Sequence, residues 1–386
     1  MNRKKGLIFD KTRYLLDPYA KAVTGQSRWG EPLPGCQHYK ARVVRDDFDW
    51  ADMAQPLTPM EDLIIYELHV RGFTMHGSSA VLHPGTFEGL VEKLPYLLEL
   101  GVNVVELMPI FEFDEMQDYR EVDGRKLYNY WGYNTVSIFS PNTSYAAGTE
   151  YNREGNELKN LIRVFNQHGI EVYLDVVFNH TAEGNENGPF FSFKGFDNNI
   201  YYLLTPEGYY YNFSGCGNTL NCNHPIVQQM ILNCLRYWVT AYRIDGFRFD
   251  LASIMRRNED GTPMSKPPLL QSLAFDPILG DVKLIAEAWD ADGLYQVGTF
   301  PSWNRWAEWN GRYRDDMRRH IKGDQGMAQA AALRIAGSRD IYADHDRKNA
   351  SVNFITCHDG FTLYDLFSYN VKHNESKRME QHGRRQ

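Results

Sequence analysis

Tyr242-Arg243-Ile244-Asp245-Gly246-Phe247-Arg248-Phe249-Asp250 is the stretch on which the reading of the fold turns. Residues 244–249 form a short, largely apolar run of the kind that makes a buried strand, yet the run ends on an arginine and an aspartate. Successive side chains of a strand point to opposite faces. Gly246, Arg248 and Asp250 therefore share one face, and Phe247 and Phe249 point the other way. Asp245 has the opposite parity and lies earlier, which gives it a structural place. An arginine two residues before an aspartate on the same face holds that carboxylate ionised and oriented. This suits a nucleophile; a structural ion pair accounts for the same residues equally well.

Working outward, the same rhythm repeats. Upstream, residues 226–239 are apolar at 227, 230, 231, 234, 235, 238 and 239, a helical face opened by Pro225. Further back, residues 170–178 read as a strand, a helical pattern ends before Gly169, and residues 102–108 read as another strand. Residues 87–100 predict one helix stopped by Gly101, and residues 63–68 predict the first strand. Downstream, strands are expected at 282–286, weakly at 303–309, and at 352–357, with a helix starting over 361–367. Buried strands alternating with helices mean a parallel sheet, either doubly wound or a (β/α) barrel. No glycine-rich phosphate loop follows the first strand, which weakens the nucleotide-binding version. Asp175, Asn179 and His180 close the third strand, Arg248 and Asp250 the fourth, Glu287 the fifth, and His358 and Asp359 the seventh. Functional groups at the C-terminal ends of several strands are the mark of a barrel.

The chemistry these residues suit is carboxylate chemistry. Glu287 ends an apolar strand with Trp289 two residues on, so its pKa is expected to be raised, as a general acid needs. A solvated glutamate opening a helix is the plainer alternative. Asp359 adds a third carboxylate beside His358. One carboxylate can attack, one can donate a proton, and one can stabilise an oxocarbenium-like transition state; two close ones imply a retaining glycosidase. A catalytic zinc site is the rival. No HExxH occurs and the histidines fall on separate strands, so no metal and no cofactor are expected.

These segments together resemble the α-amylase superfamily, glycoside hydrolase family 13. Asp175-Val-Val-Phe-Asn-His180, Gly246-Phe-Arg-Phe-Asp250, the Glu287 strand and Phe354-Ile-Thr-Cys-His-Asp359 are similar to its four signature regions, in their order. Leu15-Leu-Asp-Pro-Tyr-Ala20, Tyr130-Trp-Gly-Tyr-Asn-Thr135, Gly215-Cys-Gly-Asn-Thr-Leu-Asn221, Trp306-Ala-Glu-Trp-Asn-Gly311 and Lys372-His-Asn-Glu375 look like isoamylases and bacterial glycogen debranching enzymes. The resemblance implies a (β/α)8 barrel of α-amylase type and retaining hydrolysis of α-1,6 branch links in glycogen- or amylopectin-type glucans. It implies that Asp250 is the nucleophile, Glu287 the acid/base and Asp359 the stabiliser of the transition state. By the same resemblance Arg248 partners the nucleophile, His180 and His358 hold the sugar, Asp175 supports them, and the Tyr133 ring stacks under the glucose. Trp289 is counted with these sugar-contacting residues. The alternatives are another α-glucan reaction on the same barrel, either α-1,4 hydrolysis or branch transfer, and an inactive, truncated glucan-binding product.

The rest of the chain sets limits. Its 386 residues are 43% hydrophobic and 23% charged, ordinary for a globular protein. A net charge of -8 with no basic stripe ahead of the last residues disfavours nucleic acid. Five cysteines, an odd number without a CxxC pair, suit reduced thiols. The basic Met1-Asn2-Arg3-Lys4-Lys5 is followed by only three apolar residues, and no run reaches the length of a membrane span, so the expected compartment is the cytoplasm. Of the Asn-x-Ser/Thr sites, at Asn142, Asn179, Asn212, Asn349 and Asn374, the one at Asn179 would place a glycan in the catalytic motif. Residues 1–59 read as a linker and the remnant of an N-terminal β module. Residues 60–375 read as the catalytic barrel with a long loop at 179–223, and residues 376–386 as an atypical, disordered tail. Only seven strands can be placed, so the barrel is expected to be truncated, without its eighth strand and C-terminal β domain. Such a chain should be weakly stable, prone to aggregate, and of little activity despite an intact catalytic trio.

Overall fold

The strand 246–249 forms because every position in it is buried, and the elements on both sides hold it there. The structure, a computed structural model, describes residues 6, 8, 10–26, 28–33, 39–342 and 350–371. Cys36, the basic start Met1–Lys5, the sites at Asn349 and Asn374, the Lys372–Glu375 motif and the tail 376–386 lie outside the described residues. The preceding helix, Pro225–Tyr242, has proline in its first turn and His224 as its cap, and it stops at Arg243, which takes the left-handed conformation at φ 56°. Trp238 in this helix is fully buried; its ring stacks on Phe111 at 5.3 Å and its Nε1–H donates to the Ile138 carbonyl at 2.9 Å. Asp245 has the structural place expected of it. It accepts hydrogen bonds from the Val172 N–H at 2.8 Å, from Asn166 Nδ2 at 2.9 Å and from Gln55 Nε2 at 3.0 Å.

In chain order the strands are β1 (Ile65–Leu68), β2 (Val104–Leu107), β3 (Phe111–Phe113), β4 (Arg120–Val122), β5 (Arg125–Leu127), β6 (Thr135–Pro141), β7 (Glu171–Val176), β8 (Gly246–Phe249), β9 (Lys283–Ala286), β10 (Trp306–Trp309) and β11 (Ser351–Val352). Seven of them form one parallel sheet in the order β1-β2-β7-β8-β9-β10-β11. Alternation gives this sheet two packed faces. Val104, Tyr173, Ile285, Ala307 and Trp309 fill the concave side, and Val105, Leu174, Phe247 and Phe249 join the large core under the helices. The fold is that of a (β/α) barrel with seven parallel strands among the described residues; β3–β6 and β4–β5 are antiparallel pairs outside the sheet.

Three expected elements differ in detail. The helix over 87–100 is two helices, Phe87–Glu92 and Leu94–Leu100. Pro95 has no N–H for an unbroken ladder, and it sits instead in the first turn of the second helix. The sixth strand starts at Trp306, because Trp303 and Asn304 are left-handed at φ 45° and 56°. The seventh is only Ser351–Val352; beyond it the Phe354 ring packs on Trp309 at 4.9 Å. The 179–223 stretch is not loop throughout, since it carries the helix Phe193–Tyr201. Leu16, Ala20, Val23 and Tyr39 from the N-terminal segment bury against Val136 and Ala182. No helix among the described residues is long and apolar enough to cross a membrane.

Among the described residues β1 and β11 are the sheet's edges. Unpaired edges template pairing with other chains, and Ile64 beside β1 is 56% exposed. The 386-residue protein is therefore expected to self-associate as its concentration rises, as light scattering would show. A monomer of constant size across concentrations would mean that these edges are covered.

Candidate active site

Arg248 organises the site. It is the second-to-last residue of β8, its parity turns it to the concave side, and it has no exposed surface. Its Nη1 donates to Asp175 at 2.8 and 3.0 Å and to Asp250 at 3.2 Å, while Nη2 lies 3.2 Å from Glu287 Oε2. The guanidinium sits over the Trp309 ring at 4.3 Å. Three carboxyl groups from the ends of β7, β8 and β9 thus meet at one cation. Such a cluster survives in a dry interior only when each member is hydrogen-bonded or neutral.

The carboxyls differ in what surrounds them. Asp250 is the one open to the cleft, with its side chain 11% exposed. Asn179 Nδ2 donates to its Oδ2 at 2.6 Å, so both oxygens of Asp250 face donors. Glu287 is buried and accepts the Leu251 N–H at 2.7 Å; Leu251 is held left-handed at φ 41°, a strained conformation of the kind that functional sites retain. Burial pushes Glu287 up to about 8 against the pull of Arg248, and the Asp250 charge adds to the rise. Burial likewise raises Asp175 to about 6 in spite of Arg248.

A second group faces this one. The Tyr133 hydroxyl donates to Asp175 Oδ2 at 2.6 Å and lies 3.0 Å from His358 Nε2. Its ring is 5.1 Å from the His358 ring and half-buried, not sunk in the helix layer. Glu67 of β1 accepts the His358 backbone N–H at 2.7 Å and pairs with its Nδ1 at 2.7 Å. Burial would lower His358, but the hydrogen bond and charge of Glu67 prevail and push it up to about 9. His180 behaves oppositely. It is buried between Asn179 and Asn134, and desolvation lowers it to about 4, so its imidazole is neutral.

Two expected residues sit at the rim. Asp359 is half exposed, and its nearest cationic contact is His358 Nε2 at 3.8 Å. Asp359 also borders a hollow of about 900 Å³ between the helix Gly311–Lys322 and residues 355–370, which is lined by Arg314, Arg318 and Phe361. That hollow flanks the carboxyl cluster rather than containing it. Trp289 stacks on Tyr295 at 5.8 Å and reaches Glu287 through its backbone N–H, which donates to the Glu287 carbonyl at 2.9 Å.

Glu67 and Trp309 were not anticipated. The signal for Glu67 was present: an acidic residue inside the apolar run Ile65-Tyr66-Glu67-Leu68, with the parity of the concave side. Glu106 stands opposite it in register and is fully buried; burial and the charges of Glu67 and Asp175 push it well above the usual carboxyl range. Glu67, Asp175 and His358 are close enough to gather around one metal ion. Their atoms already answer to Tyr133, Arg248 and one another, so an ion would have to displace those hydrogen bonds.

Comparison with known proteins gives a consistent picture. The α-amylase catalytic-domain family matches residues 46–203. Isoamylase 1, chloroplastic, of Oryza sativa subsp. japonica is 51% identical over 96% of this chain and 49% of its own length. The glycogen operon protein GlgX homolog of Haemophilus influenzae is 42% identical over 97% of this chain and 58% of its own. Among solved structures, the pullulanase of Anoxybacillus sp. LM18-11 complexed with maltotetraose superposes with a TM-score of 0.73 at 30% identity, covering 92% of this chain and 52% of that one. Pullulanase type I from Bacillus subtilis, complexed with maltose, gives 0.75 at 28% identity over 92% and 50%. The chain spans about half the length of the curated relatives it matches.

Proposed function

We propose that this chain is a member of the α-amylase superfamily, in its isoamylase- and GlgX-like branch, and that it hydrolyses α-1,6 branch links of glycogen- or amylopectin-type glucans with retention of configuration. The observation that carries the reading is the contrast across Arg248: Asp250, ion-paired and open to the cleft, beside Glu287, buried and raised to about 8. One is suited to attack and the other to give a proton at neutral pH.

In the proposed cycle, an Asp250 oxygen attacks the anomeric carbon as Glu287 hands its proton to the glycosidic oxygen. The branch-point oxygen leaves as a hydroxyl and a glycosyl ester remains on Asp250. Glu287, now ionised, takes a proton from water, whose oxygen attacks the same carbon and frees Asp250. Asp359, at the rim, closes on the sugar and stabilises its positive charge. Tyr133 stacks beneath the ring, and His358 and neutral His180 hydrogen-bond its hydroxyls, with Trp289 farther along the cleft. The proposed catalytic unit is residues 60–375, with 179–223 as its long loop and 1–59 as a segment that precedes it. Its proposed compartment is the cytoplasm, which suits free Cys216, Cys222, Cys234 and Cys357.

The test is incubation with amylopectin or glycogen and analysis of the released linear chains, with linear amylose in parallel. Release of linear chains with amylose untouched supports debranching. Shortened amylose, or new branches, would move the assignment to α-1,4 hydrolysis or transfer.

Tyr133→Ala is expected to lower turnover about a hundredfold, because ring stacking sets the position of the sugar. Tyr133→Phe keeps the ring and loses the hydrogen bond to Asp175, so it should retain more activity than the alanine variant. Initial-rate measurements that ranked the two the other way would remove the stacking role.

A further inference from the structure

Lys194 has no exposed surface, and the charges of Glu183 and Glu186 reach its ammonium without a direct ion pair among the described residues. Its ammonium is held instead by backbone carbonyls: Glu183 at 2.6 Å, Asn185 at 2.6 Å and Gly188 at 3.3 Å. Phe190 and Tyr210 present their rings at 5.2 and 5.6 Å. A buried ammonium is costly unless its three donors are met, and here each has an acceptor. The backbone is shaped for this. A Cβ on Gly188 would fall 2.1 Å from the Glu183 carbonyl oxygen, and Gly184 is left-handed at φ 55°. The Glu183 side chain secures the other side of the loop, accepting the N–H groups of Phe191, Ser192 and Lys194 and the Tyr202 hydroxyl.

The caged loop leads to the carboxyl cluster. Asn218 Nδ2 donates to the carbonyls of Gly184 and Thr181, both at 3.0 Å, and the Thr181 N–H donates back to Asn218 Oδ1 at 3.1 Å. Gly217 packs so closely on Asn185 that a Cβ there would lie 3.0 Å from the Asn185 nitrogen. Thr181 directly follows Asn179 and His180, and Asn179 is the donor on Asp250.

We propose that Lys194 is a positioning residue: its ammonium is a resident cation in a carbonyl cage that clamps the 183–188 loop to the 214–218 loop, and so fixes Asn179 and His180 beside Asp250. The effect on catalysis rests on the function proposed above; the clamping of the loop does not.

The test is Lys194→Met, which keeps the apolar stem and ends one heavy atom short, leaving room for a free monovalent cation. Without substrate, protease cutting within residues 183–194, mapped by mass spectrometry, is expected to be about tenfold faster than in the parent. Added ammonium or potassium should slow it again, and the larger tetramethylammonium should not. Branched-glucan turnover should fall about tenfold to a hundredfold in kcat with little change in KM, and ammonium should restore part of it. A folded Lys194→Met protein that matches the parent in cutting and turnover, or that ignores both small cations, would overturn the proposal. Should the variant fail to fold, Lys194→Gln decides: it supplies neutral donors, ending one heavy atom short as methionine does, and parent-like behaviour would show that the charge is not needed. If the parent itself hydrolyses no glucan, the functional reading fails while the cutting experiment still tests the cage.

Discussion

Asp250→Asn is expected to abolish glucan hydrolysis, with a loss of at least about ten-thousandfold, in protein whose parent activity is measurable and whose circular dichroism is unchanged. The amide has nearly the shape of the carboxylate but cannot attack. It is also ill matched to its neighbours. Arg248 Nη1 and Asn179 Nδ2 both donate to Asp250, so either orientation of the amide sets its NH₂ against a donor. Turnover near the parent rate would show that the nucleophile lies elsewhere.

Glu287→Gln is the second large effect, and it depends on the leaving group. Glycans that leave as sugar alcohols need the proton, so their hydrolysis should drop by about a hundredfold to ten-thousandfold. Substrates with good leaving groups, such as glycosyl fluorides, should lose far less in the first step. The parent's pH profile carries the same information. Glu287 must be protonated to act as the acid, and it is raised to about 8, so kcat/KM should hold below that pH and fall as pH rises through it. His358, raised to about 9 by Glu67, loses its proton next and steepens the fall. Activity that rose through pH 8, or an equal loss for both kinds of substrate, would refute the assignment.

Much of this arrangement is legible in the sequence, because the parallel sheet writes itself as short apolar runs and the site occupies their ends. Parity puts Arg248 and Asp250 on one face, Asp175 and Glu287 could be placed at the ends of neighbouring strands, and the structure brings the three carboxyls to the Arg248 guanidinium. Other features left no such trace. The helix Gly311–Lys322 reads Gly-Arg-Tyr-Arg-Asp-Asp-Met-Arg-Arg-His-Ile-Lys and buries only Gly311 and Met317, so it has almost no apolar period to detect. The pairing of β3 with β6 joins segments more than twenty residues apart through irregular register, which local pattern does not encode. Glu67 was visible as an oddity, but its partner His358 is 291 positions away, and only the curvature of the sheet brings them together.

That last contact has a mechanical meaning. β1 and the segment after β11 share no ladder among the described residues, yet Glu67 holds His358 by both its backbone and its ring. The proposed active site is therefore also a latch across the seam between the described edges of the sheet. A ligand that rests on Tyr133 and His358 can bind well only when the latch is shut, so by linkage it must favour the shut form. At a hundred times its dissociation constant the gain is about 2.7 kcal/mol, a large part of a typical domain's stability. Occupancy of the cleft and curvature of the sheet then become one thermodynamic variable, and the protein is sturdiest while its cleft is filled.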